Sequence, residues 1–222
     1  MLERIFRHDF ASVVYGEFSD LSIAPDKSVW QPLSDVRKIM ASQNASYIVA
    51  RPLFESDRAL EILAAFDDAF VVWLYRDYRQ VVKSMIKKWQ DRFFDISLEN
   101  ESDESGSWKL SGLRDQILDE LGNDSTTEDQ YALYWHARNL SFFEQSLGEE
   151  FRVKLLAYDD LVNSTREHID EIMKSAGQKG IWRGFKTDAH QQSLGVDQAP
   201  TFSPKVEKKC NEMMERLASC RK

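Results

Sequence analysis

Cysteine, proline and glycine are scarce in this chain of 222 residues, at two, five and nine. Two cysteines supply no disulfide framework. If Cys210 and Cys220 share one helix they stand about 15 Å apart along its axis, beyond bridging reach. So few glycines and prolines leave neither a flexible Gly/Ser linker nor a Pro-rich boundary between units. Long apolar runs are missing too: none approaches the roughly 20 residues that cross a bilayer. The opening MLERIFR has no apolar core of a secretory signal. Positive charge is in deficit, 29 Lys and Arg against 37 Asp and Glu, for a net charge of −8. Without a basic tract the chain cannot rest its affinity on neutralising phosphates, which argues against a general nucleic-acid binder. The four histidines show no metal-ligand spacing. These features predict a cytoplasmic protein in a reducing compartment, with no metal and no transmembrane segment.

What remains is an ordinary globular composition, 42% hydrophobic and 12% aromatic, read here as one domain over residues 1–222. An acidic surface insertion at about 95–107 contains ENESDESGS, which has no apolar residue. Apolar runs alternate with helical patterns. Tyr47–Ala50 is a strand stopped by Arg51-Pro52, and Ser56 is placed to cap the helix that follows. Ala69–Tyr75, seven residues without a charge, has the pattern of a strand buried on both faces and runs into a helix from Tyr78 to about Gln90. Ser125-Thr126-Thr127-Glu128 and Ser164-Thr165-Arg166-Glu167 read as capping boxes, with Gly177 ending the second helix. Phe151–Tyr158 is a third strand, and Ser203-Pro204 opens the last helix. This order predicts an α/β fold with a parallel sheet flanked by helices.

In open α/β sheets ligands bind beyond the carboxyl ends of the strands. Arg51-Pro52, Arg76-Asp77 and Tyr158-Asp159-Asp160 fall there. Two arginines on one rim of a net-negative chain point to a local anion site, because the planar guanidinium suits phosphate or sulfate. Ser84 stands two turns into the helix after Arg76, placed to share one phosphate with it. Spacing alone keeps the plainer reading open, with Arg76 paired to Asp77 and Ser84 an ordinary helix residue.

The stretch YIVARPLFESDRALEILAAFDDAFVVWLYRDYRQVVKSM resembles the middle of PAPS-dependent sulfotransferases, which move a sulfuryl group from 3′-phosphoadenosine-5′-phosphosulfate (PAPS) to a hydroxyl or amine. Its apolar strand ends in Arg-Asp, with a serine eight residues after the arginine. Trp135-His136-Ala137-Arg138-Asn139 and Tyr158-Asp159-Asp160-Leu161 extend the likeness, which covers about Val14 to Leu217. The resemblance implies a fold related to P-loop nucleoside-triphosphate hydrolases, PAPS as co-substrate, and a small-molecule or glycan acceptor. It assigns Arg76 and Ser84 to the 3′-phosphate and Tyr158 to the neighbourhood of the adenine. The segment KTDAHQQSLG is similar to the family's late cofactor loop, so Ser193 and Gly195 would donate to phosphate; a plain surface loop is the other reading.

The departures are as informative. No Gly-rich turn precedes a helix, so the family's 5′-phosphosulfate loop is missing. The resemblance therefore implies an N-terminally incomplete fold, with the first strand and its loop upstream of Met1. Arg51 stands where many members have lysine and would offset charge on the transferring group. The base histidine that cytosolic members carry just after that lysine is replaced by the run Pro52-Leu53-Phe54. Tyr15-Gly16-Glu17 is similar to the Gly-Glu of carboxylate-using members, making Glu17 the candidate base, with a solvated loop carboxylate as the alternative. His136 is expected to pack on its aromatic helix, His8 and His168 to lie on helix surfaces, and His190 to sit in a polar loop. Two functions are compatible with this reading: a sulfotransferase, or a non-catalytic remnant that binds nucleotide or a partner without turnover.

Overall fold

The computed structural model describes residues 12–15, 19–24, 27–52, 55–89, 117, 119–121, 125–178 and 200–221. Two pairs of parallel strands form its centre. Strand β1 (Ser12–Tyr15) pairs with β4 (Tyr47–Ala50), with Ser12 opposite Tyr47. Strand β5 (Val71–Tyr75) pairs with β6 (Val153–Ala157), with Val71 opposite Val153. Between β1 and β4 lie an antiparallel hairpin, β2 (Ser22–Ala24) with β3 (Lys27–Trp30), and helix α1 (Leu33–Ala41). Helix α2 (Ala59–Ala65) connects β4 to β5. After β5 come α3 (Tyr78–Trp89) and α4 (Thr127–Glu144). After β6 come α5 (Tyr158–Asn163), α6 (Thr165–Ser175) and α7 (Pro204–Ser219).

The period-2 alternation of each strand sorts its side chains into layers. Val14 of β1, Tyr47 and Val49 of β4, Val72 of β5 and Leu156 of β6 all pack against Leu161, Ile169, Ile172 and Met173 of α5–α6. On the opposite face, Tyr15, Ile48 and Ala50 meet the hairpin and α1–α2 through Leu21, Trp30, Val36 and Ile62. There Trp73, Tyr75, Leu155 and Ala157 meet α3, α4 and α7 through Tyr78, Trp135, Phe142 and Met213. The chain is thus α/β, with short parallel pairs flanked by helices. One helical layer, α5–α6, covers both pairs. No ladder joins the two pairs among the described residues.

Local signals account for several boundaries. Ser203 and Pro204 start α7, whose buried stripe is Val206, Cys210, Met213 and Leu217. Gly177 follows α6 at φ +72°. Its N–H donates to the Lys174 carbonyl at 3.1 Å, and that of Gln178 to the Met173 carbonyl at 2.9 Å, a Schellman closure.

Other expectations need correction. Ser56 opens a short 3₁₀ turn, Ser56–Arg58, with no side-chain cap; its hydroxyl instead accepts from Arg138 Nη1 at 2.9 Å. The first capping box is shifted by one residue, to Thr126 and Asp129. Ser164 makes no side-chain cap bond, and the neighbouring Thr165 hydroxyl donates back to the Leu161 carbonyl at 2.7 Å. The apolar run starting at Ala69 becomes a strand only from Val71, and Leu74 is 36% exposed rather than covered on both faces. Among the described residues its strand is paired on one side only, with β6. The third strand stops at Ala157, and Tyr158 belongs to the helix after it. His168 is half-buried on α6, its Nδ1 3.7 Å from Glu171. Cys210 and Cys220, in keeping with their ten-residue spacing, are both free.

Candidate functional site

The parallel strands bring their carboxyl ends to one edge of each pair. On the β5–β6 pair, β5 delivers Arg76 and β6 delivers Tyr158, and the Arg76 guanidinium lies 4.6 Å from the centre of the Tyr158 ring. This cation–π contact is worth roughly 0.5–1 kcal/mol where partly exposed. Its larger consequence is geometric, since it sets a charged fork beside an aromatic face.

Two further contacts fix Arg76. Its Nε donates to Gln80 Oε1 at 2.7 Å, one turn into α3. Its carbonyl accepts the Trp135 indole N–H at 3.1 Å, tying the strand exit to α4. Asp77 does not pair with Arg76. It caps α3, accepting the Arg79 N–H at 2.8 Å, and lies 3.7 Å from the Arg79 guanidinium. Ser84 is exposed, one turn beyond Gln80 and on the same stripe of α3. The structure thus aligns Arg76, Gln80 and Ser84 along one face leading away from the strand end.

On the β1–β4 pair, Arg51 is exposed, and its backbone N–H donates to the Tyr15 carbonyl at 3.0 Å, extending the ladder by one residue. Behind it Glu55 is buried, accepting the Trp30 N–H at 2.8 Å and pairing with Arg58 at 2.9 Å. Burial raises the Glu55 pKa, against the lowering effect of these donors. Glu17, Ser193 and Gly195 lie outside the described residues, as do His8 and His190.

Reading the strand exits placed Arg76 and Tyr158 on one rim, and the structure sets the two side chains in contact. It missed Gln80, which orients the guanidinium, and Trp135, which holds the Arg76 backbone. Gln80 carried a usable signal, since it stands four residues after Arg76 at the start of a helix. The Trp135 contact joins residues 59 apart and left no local trace. Among the described residues no His, Cys, Asp and Glu cluster is arranged to hold a metal ion, and no helix is long and apolar enough to cross a membrane. No protein-family model, curated protein or solved structure matches the chain.

Proposed function

We propose that the β5–β6 carboxyl edge binds the nucleotide half of PAPS and that the chain is a sulfotransferase-like α/β domain. The observation that carries this reading is Arg76 held over Tyr158 at the exits of adjacent parallel strands. A phosphate takes a bidentate guanidinium. An adenine takes an aromatic face. Gln80 and Trp135 hold Arg76 in place before any ligand arrives, which lowers the ordering cost of binding. Ser84, on the stripe running from Gln80, would add a hydroxyl donor to the 3′-phosphate. Transfer would move the sulfuryl group to a hydroxyl or amine of a small-molecule or glycan acceptor. In this reading Glu17 is the base and Arg51 offsets charge on the group in flight.

The test is calorimetric. Adenosine 3′,5′-bisphosphate should bind more tightly than 5′-AMP. Arg76→Ala should weaken the bisphosphate by about 1.5–3 kcal/mol, the range for a charged hydrogen bond, and 5′-AMP by less. Equal affinities for the two nucleotides sink the assignment.

The remnant reading has its own support. The 5′-phosphosulfate needs a cradle of backbone N–H groups at a helix N-terminus, and the sequence has no Gly-rich turn before a helix. The two parallel pairs are not laddered together among the described residues. A strand bearing such a turn could join an edge that no described strand occupies. Nucleotide binding without sulfuryl transfer by this chain, and transfer once a strand and Gly-rich turn precede β1, is the outcome that reconciles both readings.

A further inference from the structure

We infer that Arg221, just past the end of α7, belongs to the nucleotide edge as a positioning residue for Arg76 and Tyr158. The ligand named in this inference rests on the function proposed above; the positioning does not.

Arg221 reaches two residues that flank the site. Its Nε donates to the Tyr75 hydroxyl, with the guanidinium 5.3 Å from the Tyr75 ring centre. Its Nη1 donates to Asp160 Oδ2 at 2.9 Å. Tyr75 is the last residue of β5, 2% exposed, and immediately precedes Arg76. Asp160 lies in the first turn of α5, two residues after Tyr158. Two bridges therefore cross from the β5 exit to the start of α5. One is direct, Arg76 over Tyr158; the other runs through Arg221. Helix α5 has six residues and no side-chain cap at its start, so its first turn depends on such ties.

The energy of the Arg221–Asp160 pair is not the point. Both side chains are about two-fifths exposed (41% and 42%), and exposed pairs contribute little. What the pair changes is charge and orientation at the site. Asp159 and Asp160 put two carboxylates beside Tyr158, where a phosphate is to approach, and Arg221 neutralises one of them. Burial raises the Tyr75 phenol pKa while the Arg221 bond pulls it down, in keeping with a hydroxyl that accepts from a cation.

The experiment compares wild type with Arg221→Gln and Arg221→Lys in the full chain, by two readouts. The first is the NMR signature of the Tyr158 ring without nucleotide. The second is the calorimetric affinity for adenosine 3′,5′-bisphosphate. Arg221→Gln should shift the Tyr158 resonances and weaken the bisphosphate about tenfold, a charged contact discounted for exposure. Arg221→Lys, which keeps the charge near Asp160, should recover part of both. Unchanged Tyr158 resonances in Arg221→Gln overturn the inference, and so does unchanged affinity. If wild type binds no bisphosphate but Tyr158 still shifts in Arg221→Gln, the positioning stands and the nucleotide reading falls.

Discussion

His136 sits half-buried on α4, lining a cavity of about 300 Å³ with Leu133, Ala137, Leu140 and Lys209. Burial is the main force on its imidazole. Lys209 and Arg216 add to it and Glu120 opposes it, leaving a pKa lowered from 6.5 to about 4. The native state thus keeps the ring neutral over a range where the unfolded chain takes up a proton. This contribution to stability is complete above pH 6.5 and is lost as pH falls toward about 4. The shift corresponds to at most about 3 kcal/mol, reduced to about 2 by residual solvent contact. Urea denaturation across that pH window should show a decline that His136→Gln flattens. A proton NMR titration of the ring should place its midpoint well below that of a free histidine.

At the next scale, Asp129 connects two helices. Its Oδ2 accepts the Thr126 N–H at 3.3 Å, closing the capping box of α4, while its Oδ1 accepts the Ser203 N–H at 2.9 Å, where α7 begins. The side chain is fully buried. Thr126→Ala should cost about 1 kcal/mol, the usual worth of a cap. Asp129→Ala should cost about 3 kcal/mol, because it strands two donors, one of them on another helix. Chemical denaturation of the two variants distinguishes a local cap from a joint between elements; equal costs would remove the joint. In Gly177→Ala the added methyl meets no atom of the described residues within 4 Å, so its expected cost of about 1 kcal/mol is that of a left-handed backbone.

The same elements show what the sequence made legible. Ser203-Pro204 and Gly177 were readable because a terminus is decided within a few residues. The Thr126 box was misplaced by one, since Ser125 and Thr126 both suit the cap and Glu128 and Asp129 both suit its partner. Only backbone angles choose between them. Strands β1, β2 and β3 were not legible: three or four residues are too few for alternation to show, and unlike the equally short but wholly apolar β4 each begins on a polar residue, Ser12, Ser22 and Lys27. At the site, the rim arginine and tyrosine announced themselves by ending apolar runs. Arg221 did not, because it meets Tyr75 across a separation of 146 residues.

Across the whole molecule, the two strand pairs share the α5–α6 cover but no ladder among the described residues. Alternate amides of a paired strand point to opposite sides. The Val71 N–H faces β6, donating to the Arg152 carbonyl at 2.8 Å. Trp73 and Tyr75 then face the same way, and Val72 and Leu74 face outward. In amide hydrogen exchange, Val72 and Leu74 should exchange much faster than Trp73 and Tyr75. Equal protection of all four would mean that another strand already lies along that edge.

The pairing of Val71 with Val153 also bears on how the chain reaches this state. Neither strand has its partner nearby in sequence, and a parallel ladder rewards the closure of a long loop only after the ends have met. The helices can gain structure from neighbours within a turn; the ladder cannot. Refolding should therefore show helical signal in an early phase and the packing of the half-buried Trp73 against the core in a later, slower one. Stopped-flow circular dichroism and tryptophan fluorescence recorded on the same sample would separate the two phases, whereas coincident traces would mean that the ladder and the helices form in one step.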